Sequence, residues 1–494
     1  MGNRTNSTLA AGAEAAAKLA RCAAANTDAN ADYFEQSAAS TLIVIDDGRI
    51  EELTQPITVG GALRLVLPGH GPGPDHAGGQ SGQTLFGHLG APSPAEIKKL
   101  GDDLLRLSGH PSTANAANAA GTATAPFSIG ALRKHYTPVA TPFTGRTLEE
   151  KVALCREAER IARALDPRVV QVRVAYRDGV NRIAIARGGD GCADPVEQTT
   201  HGVYLSVMVT ARAGDVVQTG YEAAGCTGGW ELFEERPVEQ LARCAAERAV
   251  RMLTAARPRG GVMPVVLSSS AGGTMIHEAV GHGLEADLVR DGLSTYEGQI
   301  GQLIASPLIT VIDDPTLPGK YGSYIFDDEG VKASPTVLVE KGVLKGWLNS
   351  LDTAADFGHA PSGNGRRESY RHLPIPRMSN TYIAAGTDDP EAIIRDTHTG
   401  LYVTRMGGGE VNSTNGDFVF EVSEGFLIEN GKIGEPVRGC TLAGNGPKVL
   451  TEIDRVGSDL GFGIGTCGKD GQGVPVSDAQ PTLRIPKLTV GGMV

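Results

Sequence analysis

The chain is 494 residues long, 40% hydrophobic and 21% charged, a balance that fits a globular protein of roughly two to four domains. Its net charge of -12 offers no basic face for nucleic acid, and no window reaches the roughly 18 to 20 apolar residues of a membrane-spanning helix. Seven scattered cysteines argue against a disulfide framework, and the N-terminus has no secretory core and no Ser or Thr at Asn6 for a myristoylation pattern, so the expected location is the cytoplasm.

Residues 9–25 are Ala-rich and predict a helix. Asp46-Asp47-Gly48 within "TLIVIDDGRIEEL" predicts a hairpin, and "GGALRLVL" continues as a strand. The run "PGHGPGPDHAGGQSGQ" (68–83) reads as a loop, and Pro94 to Leu107 as a helix. "GHPSTANAANAAGTATAP" is the candidate linker. Thr147-x-x-Glu150 is a capping box, after which Leu148, Val152, Cys155, Ala162 and Leu165 share one helical face. Residues 169–188 predict a hairpin about Asp178-Gly179, 201–225 a second hairpin, and 236–256 an amphipathic helix. From 262 onward short β runs dominate. The expected fold class is α+β. It comprises an N-terminal α/β domain (1–108), a low-complexity linker region (109–145), a central α+β segment (146–258) and a largely β C-terminal domain (259–494) carrying one conspicuous helix.

That helix lies in "SSSAGGTMIHEAVGHGLEAD" (268–287), where His277 and His282 are five residues apart. Zinc favours imidazole and thiolate ligands, and catalytic sites hold three of them with a fourth position open. On an ideal helix a spacing of four brings two imidazoles to one metal, whereas a spacing of five splays them by about 140°. The pair can share an ion only if the helix widens between them, as at a π-bulge, and Gly281 is the residue type that permits this. Glu278 stands where hydrolytic zinc helices carry their general base. Glu285 and Asp287 are placed to orient a ligand imidazole, and Glu285 could ligate directly. The alternative is an ordinary helix with two histidines bonded to backbone. A third ligand would decide, and His359, His372, Glu285, Cys440 and Cys467 are all candidates.

Five stretches carry a family resemblance: "GGTMIHEAVGHGLEAD", "DDPTLPGKYGSYIFDDEGV", "GNGRRESYRHLPIPRMSNTYI", "GGGEVNSTNGDFVFEVSEGFLIENGKIGEPVRG" and "TCGKDGQGVPVSDAQPTLRI". Together they resemble the TldD/PmbA (TldD/TldE) metalloprotease family, in particular its zinc-bearing TldD-type subunit. The resemblance implies one zinc ion per chain on His277, His282 and Cys467, with Glu278 as base. It implies a peptide or unfolded polypeptide as substrate, and a dimer with itself or with a homologous PmbA-type subunit, with neither nucleic acid nor membrane involved. The competing expectations are a non-catalytic peptide-binding or scaffold subunit with a structural metal and, more weakly, an amidase for small amides.

Beside this, Arg366, Arg367, Tyr370 and His372 form a candidate substrate cleft, arginines gripping carboxylate or carbonyls and Tyr or His facing the oxyanion; the plain alternative is a solvated basic turn. Gly408 and Gly409, in "MGGGEVNSTNGDFVFEV", could expose a strand edge to an extended peptide, or simply form a hairpin about Asn415-Gly416. "FDDEG" (326–330) reads as a solvated acidic loop rather than a second metal site.

Overall fold

In the computed structural model, which describes residues 2–23, 30–67, 83–108, 132–188 and 194–492, the longest strands come from both sides of the expected linker. Asn30–Asp46 and Val169–Gly188 pair antiparallel from Ala31 opposite Gly188 to Asp46 opposite Arg173. They belong to one eight-stranded sheet that also takes Arg49–Thr54, Ile57–Leu67, Gln83–Gly90, Arg133–Tyr136, Val196–Ala213 and Val216–Thr227. The segments 1–108 and 146–258 therefore share a sheet. The candidate linker "GHPSTANAANAAGTATAP" and the Gly/Pro/His loop, apart from Gln83, lie outside the described residues. The end of the region 109–145 is not linker, because Arg133–Tyr136 pairs parallel with the 196–213 strand.

Helices cover one face of this sheet. Ser93 and Thr147 each close a capping box, starting Pro94–Leu107 and Leu148–Ala164 where the sequence marks them. Val238–Thr254 buries Leu241, Ala242, Ala245, Ala246 and Ala249. It packs so tightly on the 216–227 strand that a Cβ at Gly220 would lie 2.0 Å from the Ala245 carbonyl oxygen. The hairpin read at Asp178-Gly179 is overturned: Val169–Gly188 runs through both residues as one strand. Asp178 is buried 2.5 Å from Lys151 Nζ and accepts a bond from Tyr176 Oη at 2.6 Å, so its carboxylate serves a charge pair instead of a turn. The second hairpin forms, with its turn at Gly214 (φ 58°).

The C-terminal region is largely β. Five strands close on themselves as a barrel in the order Thr399–Val411, Gly261–Leu267, Leu483–Gly491, Cys440–Asn445 and Asp417–Glu429. A six-stranded sheet ends on Gln472–Gln480 and then Gly461–Lys469. The broken helix that follows the 261–267 strand packs between them, with Ile276, Val280 and Leu284 in the same apolar core as barrel residues Val265, Leu401 and Phe420.

The "FDDEG" segment is not solvated, because Asp327 and Glu329 are buried. Arg64, from the 57–67 strand, bridges Asp32 at 2.6 Å and Glu329 at 2.7 Å, binding the large sheet to the C-terminal region through buried charge. Among the described residues no helix is long and apolar enough to cross a membrane.

Candidate metal centre

The chain leaves the 261–267 strand through a turn of 3-10 helix at Ser269–Ala271 and enters the motif at Gly273. A Cβ at Gly273 would lie 2.4 Å from the Ala479 nitrogen, so only glycine lets the helix start this close to the 472–480 strand. After one α-turn, Thr274–Ile276, the segment His277–Gly281 is a π-helix, and the His282 N–H donates to the His277 carbonyl oxygen. The bulge expected from the five-residue spacing is present. The role given to Gly281 needs correction. Its φ and ψ of -56° and -52° are ordinary for a helix, but a Cβ there would lie 2.1 Å from Met378 Sδ, so packing rather than backbone freedom asks for glycine.

The widened turn brings the two rings to one place, with centroids 5.0 Å apart and planes at 86°. Cys467 comes from the 461–469 edge strand, its Sγ 3.6 Å from His282 Nε2. One donor atom from each of His277, His282 and Cys467 falls within 4.8 Å of the others. Among the described residues this is the one such group, and His359, His372 and Cys440 are not in it. His277 Nδ1 lies 2.8 Å from Asp478 Oδ1, and His282 Nδ1 lies 2.9 Å from Glu285 Oε2. Each carboxylate accepts an Nδ1–H and so leaves Nε2 as the free donor, the arrangement that fixes tautomer and ring orientation at metal sites. Two imidazoles and a thiolate suit zinc, and the residues present fit that ion.

Among the side chains alone, electrostatics favours a thiolate beside protonated imidazoles, whose Nε2 protons a zinc ion would displace. Burial pushes the Cys467 thiol up, but hydrogen bonds and positive charge from His277 and His282 bring it down to about 6. Burial opposes charge on His282, yet Glu285 and Cys467 raise its pKa to about 10, and Asp478 and Cys467 likewise hold His277 well above its usual value. Glu285 is fully buried, which alone would raise it; His282 and Lys469 instead hold it near 2. Lys469 Nζ donates to Glu285 at 3.0 Å, Asp287 at 2.7 Å and the Pro376 carbonyl at 3.0 Å. Glu285 thus orients His282, while Asp287 acts one step further out through Lys469. The Glu278 side chain is half-buried and makes no hydrogen bond or ion pair with the described residues.

Of the residues read as a cleft at 363–383, Arg366, Arg367 and Tyr370 are buried and His372 is not. Arg366 is buried and donates to the carbonyls of Met378 at 2.6 Å and Pro475 at 2.9 Å. Arg367 is buried over the Phe34 ring at 4.2 Å, 3.7 Å from Asp32. Tyr370 packs on Gly60, and its N–H donates to Gln36 Oε1 at 3.0 Å. His372 Nδ1 sits 3.0 Å from Ser369 Oγ. Arg366, Arg367 and Tyr370 are committed to holding this segment on the strands below it, and their side chains are not free to grip a ligand. Gly408 and Gly409 are exposed on the far half of the 399–411 strand, as an accessible edge requires.

Asp478 and Lys469 were not singled out in the sequence, although both lie in the quoted C-terminal stretch. The available signal was Asp470-Gly471, whose φ values of 51° and 72° make a tight hairpin turn. That turn sets Cys467 opposite Val474 and Gly463 opposite Asp478.

Sequence models of the PmbA/TldA metallopeptidase family match twice, the central domain over residues 141–253 and the C-terminal domain over 260–492. A Haemophilus influenzae protein named metalloprotease TldD homolog is 40% identical over 71% of this chain and 74% of its own. A Saccharolobus solfataricus protein named zinc metalloprotease TldD homolog is 34% identical over 59% of this chain and 65% of its own. The crystal structure of TldE from Thermococcus kodakarensis superposes with a TM-score of 0.70 at 17% identity, covering 97% of this chain and 100% of that one. With the histidine pair, the cysteine and these matches in hand, the chain belongs to the TldD/PmbA metallopeptidase family.

Proposed function

We propose that the protein is a zinc-dependent peptidase that hydrolyses extended peptide segments, with His277, His282 and Cys467 as ligands and Glu278 as general base. The observation that carries this reading is the convergence of two imidazoles and a thiolate, with the half-buried Glu278 next in the chain to His277. Zinc, when bound there, supplies Lewis acidity toward a water and a substrate carbonyl. Glu278 takes a proton from the water as its oxygen attacks the carbonyl carbon, and returns it to the amine nitrogen as the C–N bond breaks. With each Nδ1–H donated to Asp478 or Glu285, the Nε2 atoms of His277 and His282 would be the ones left to hold the ion.

The substrate would lie extended along exposed backbone near the site. Pairing of the 399–411 strand with 261–267 stops at Val403, and its far half, Gly408 to Glu410, is exposed. Main-chain pairing there binds a peptide with little demand on its sequence, which suits unfolded segments. A homologous TldE-like subunit is the partner this reading favours, by the likeness of fold to TldE.

Glu278→Gln tests the base. The expected result is unchanged zinc content with turnover of an unfolded peptide lowered about 10²- to 10⁴-fold. A zinc-loaded variant that cleaves at the wild-type rate removes Glu278 from the mechanism.

A further inference from the structure

The central segment meets the C-terminal barrel through a second set of buried charges, which none of the chemistry above uses. Glu222 lies on the 216–227 strand and Glu424 on 417–429; both are buried. Arg405 Nη2 donates to both Glu222 carboxylate oxygens at 2.7 Å, and its Nη1 to the Ser270 carbonyl at 2.9 Å. Arg248, from the 238–254 helix, reaches Glu222 at 3.2 Å and Glu424 at 3.4 Å. Thr404 Oγ1 donates to Glu424 at 2.8 Å, and Ser270 Oγ to the Thr404 carbonyl at 3.3 Å.

The place of this cluster gives it meaning. Arg405 stands just past Val403, where the 399–411 strand loses its pairing with 261–267, and register shifts flank Arg405 on both sides. Bulges of this kind re-aim a strand and are over-represented beside active sites. Ser270 belongs to the turn that launches the metal-site helix. One guanidinium therefore ties three things together: the start of the free edge, the turn ahead of His277, and the sheet of the central segment. With Nη2 on Glu222 and Nη1 on the Ser270 carbonyl, two nitrogens of the planar guanidinium are held by different elements, which fixes its orientation as well as its distance.

We infer that Arg405, held by Glu222, is a positioning residue for substrate, fixing the free edge of 399–411 relative to the metal-site helix. The inference rests on the peptidase reading. Loss of the clamp leaves His277, His282, Cys467 and their carboxylate partners in place, because none of them touches this cluster. It lets the peptide-binding edge drift, which weakens binding more than the chemical step.

The test compares wild type, Arg405→Met, Arg405→Lys, Glu222→Gln and the Arg405→Met/Glu222→Gln double variant, all zinc-loaded, with Arg243→Met as a control at an exposed helix pair. Fluorescein-labelled denatured casein is the probe, for anisotropy in a Glu278→Gln background and for cleavage otherwise. The expected result is KM and the dissociation constant raised roughly tenfold by Arg405→Met, kcat changed by less than about twofold, and zinc content unaltered. Glu222→Gln should match it, and the double variant should be no worse than either single one. Folded Arg405→Met or Arg405→Lys with wild-type KM and binding overturns the inference; if both fail to fold, wild-type binding by Glu222→Gln overturns it. A wild-type protein that neither binds nor cleaves casein overturns the peptidase reading beneath it, a distinct outcome.

Discussion

Asp478 and Cys467 lie far from His277 in sequence, and both meet it in space. Of the two, Cys467 supplies a donor atom and Asp478 only holds an imidazole, so their substitutions separate quantitatively. Asp478→Asn is expected to weaken zinc binding roughly 10- to 100-fold, the usual cost of removing a carboxylate behind a ligating histidine. Cys467→Ala is expected to leave the isolated protein substoichiometric in zinc. Metal analysis with chelator competition reads both, and full-affinity zinc in Cys467→Ala would remove the thiolate from the ligand set. At this scale the sequence was informative where the chemistry is local. His277, Glu278 and His282 share one short segment, and their spacing alone required a widened helix. Asp478 and Lys469 were illegible because a hairpin register, not a motif, delivers them. Arg366 and Arg367 misled because a run of arginines between prolines and glycines looks solvated, while both guanidiniums are in fact buried over aromatic rings and against carbonyls.

At the level of elements, the π-turn is held from outside as well as by its own hydrogen bonds. Met378 packs where a side chain on residue 281 would sit. Gly281→Ala therefore requires the buried Met378 thioether to turn aside. A destabilisation of about 1–3 kcal/mol is expected from overpacking, with partial recovery when Met378→Ala is added. Thermal denaturation of the two variants reads this, and an unchanged Tm for Gly281→Ala would show the contact to be soft. The strand through Asp178-Gly179 teaches the complementary lesson. Asp-Gly is a strong local turn signal, but Lys151, on a helix whose capping box is itself legible, supplies a buried partner for the carboxylate. Tertiary charge pairing overrode the local preference, and no reading of 169–188 alone could reveal it.

For the whole molecule, the order of predicted elements indicated an α+β chain with a β-rich C-terminal part, and the structure is that. What composition hid is how the parts are joined. Arg64 is buried between Asp32 and Glu329, with Arg367 close by, so the N-terminal strands and the C-terminal region share one electrostatic knot. Arg64→Met leaves buried Glu329 without its cation and Asp32 with only the more distant Arg367, and a loss of about 3–5 kcal/mol is expected. Urea unfolding measures it; a midpoint equal to wild type would show the knot to be solvated in practice. "FDDEG" was read as a solvated loop because three consecutive acids usually are, and the arginine that buries it lies more than 250 residues earlier.

The pairing of Asn30–Asp46 with Val169–Gly188 has a consequence for the chain's behaviour outside its folded state. On its other side Val169–Gly188 is covered by Val196–Ala213, so the N-terminal strand is all that closes the remaining edge. A fragment beginning after the 109–131 segment would present that edge bare, with a long row of unpaired donors and acceptors ready to template a strand from any neighbouring chain. The first strand thus covers an edge of the central sheet that would otherwise be open to pairing.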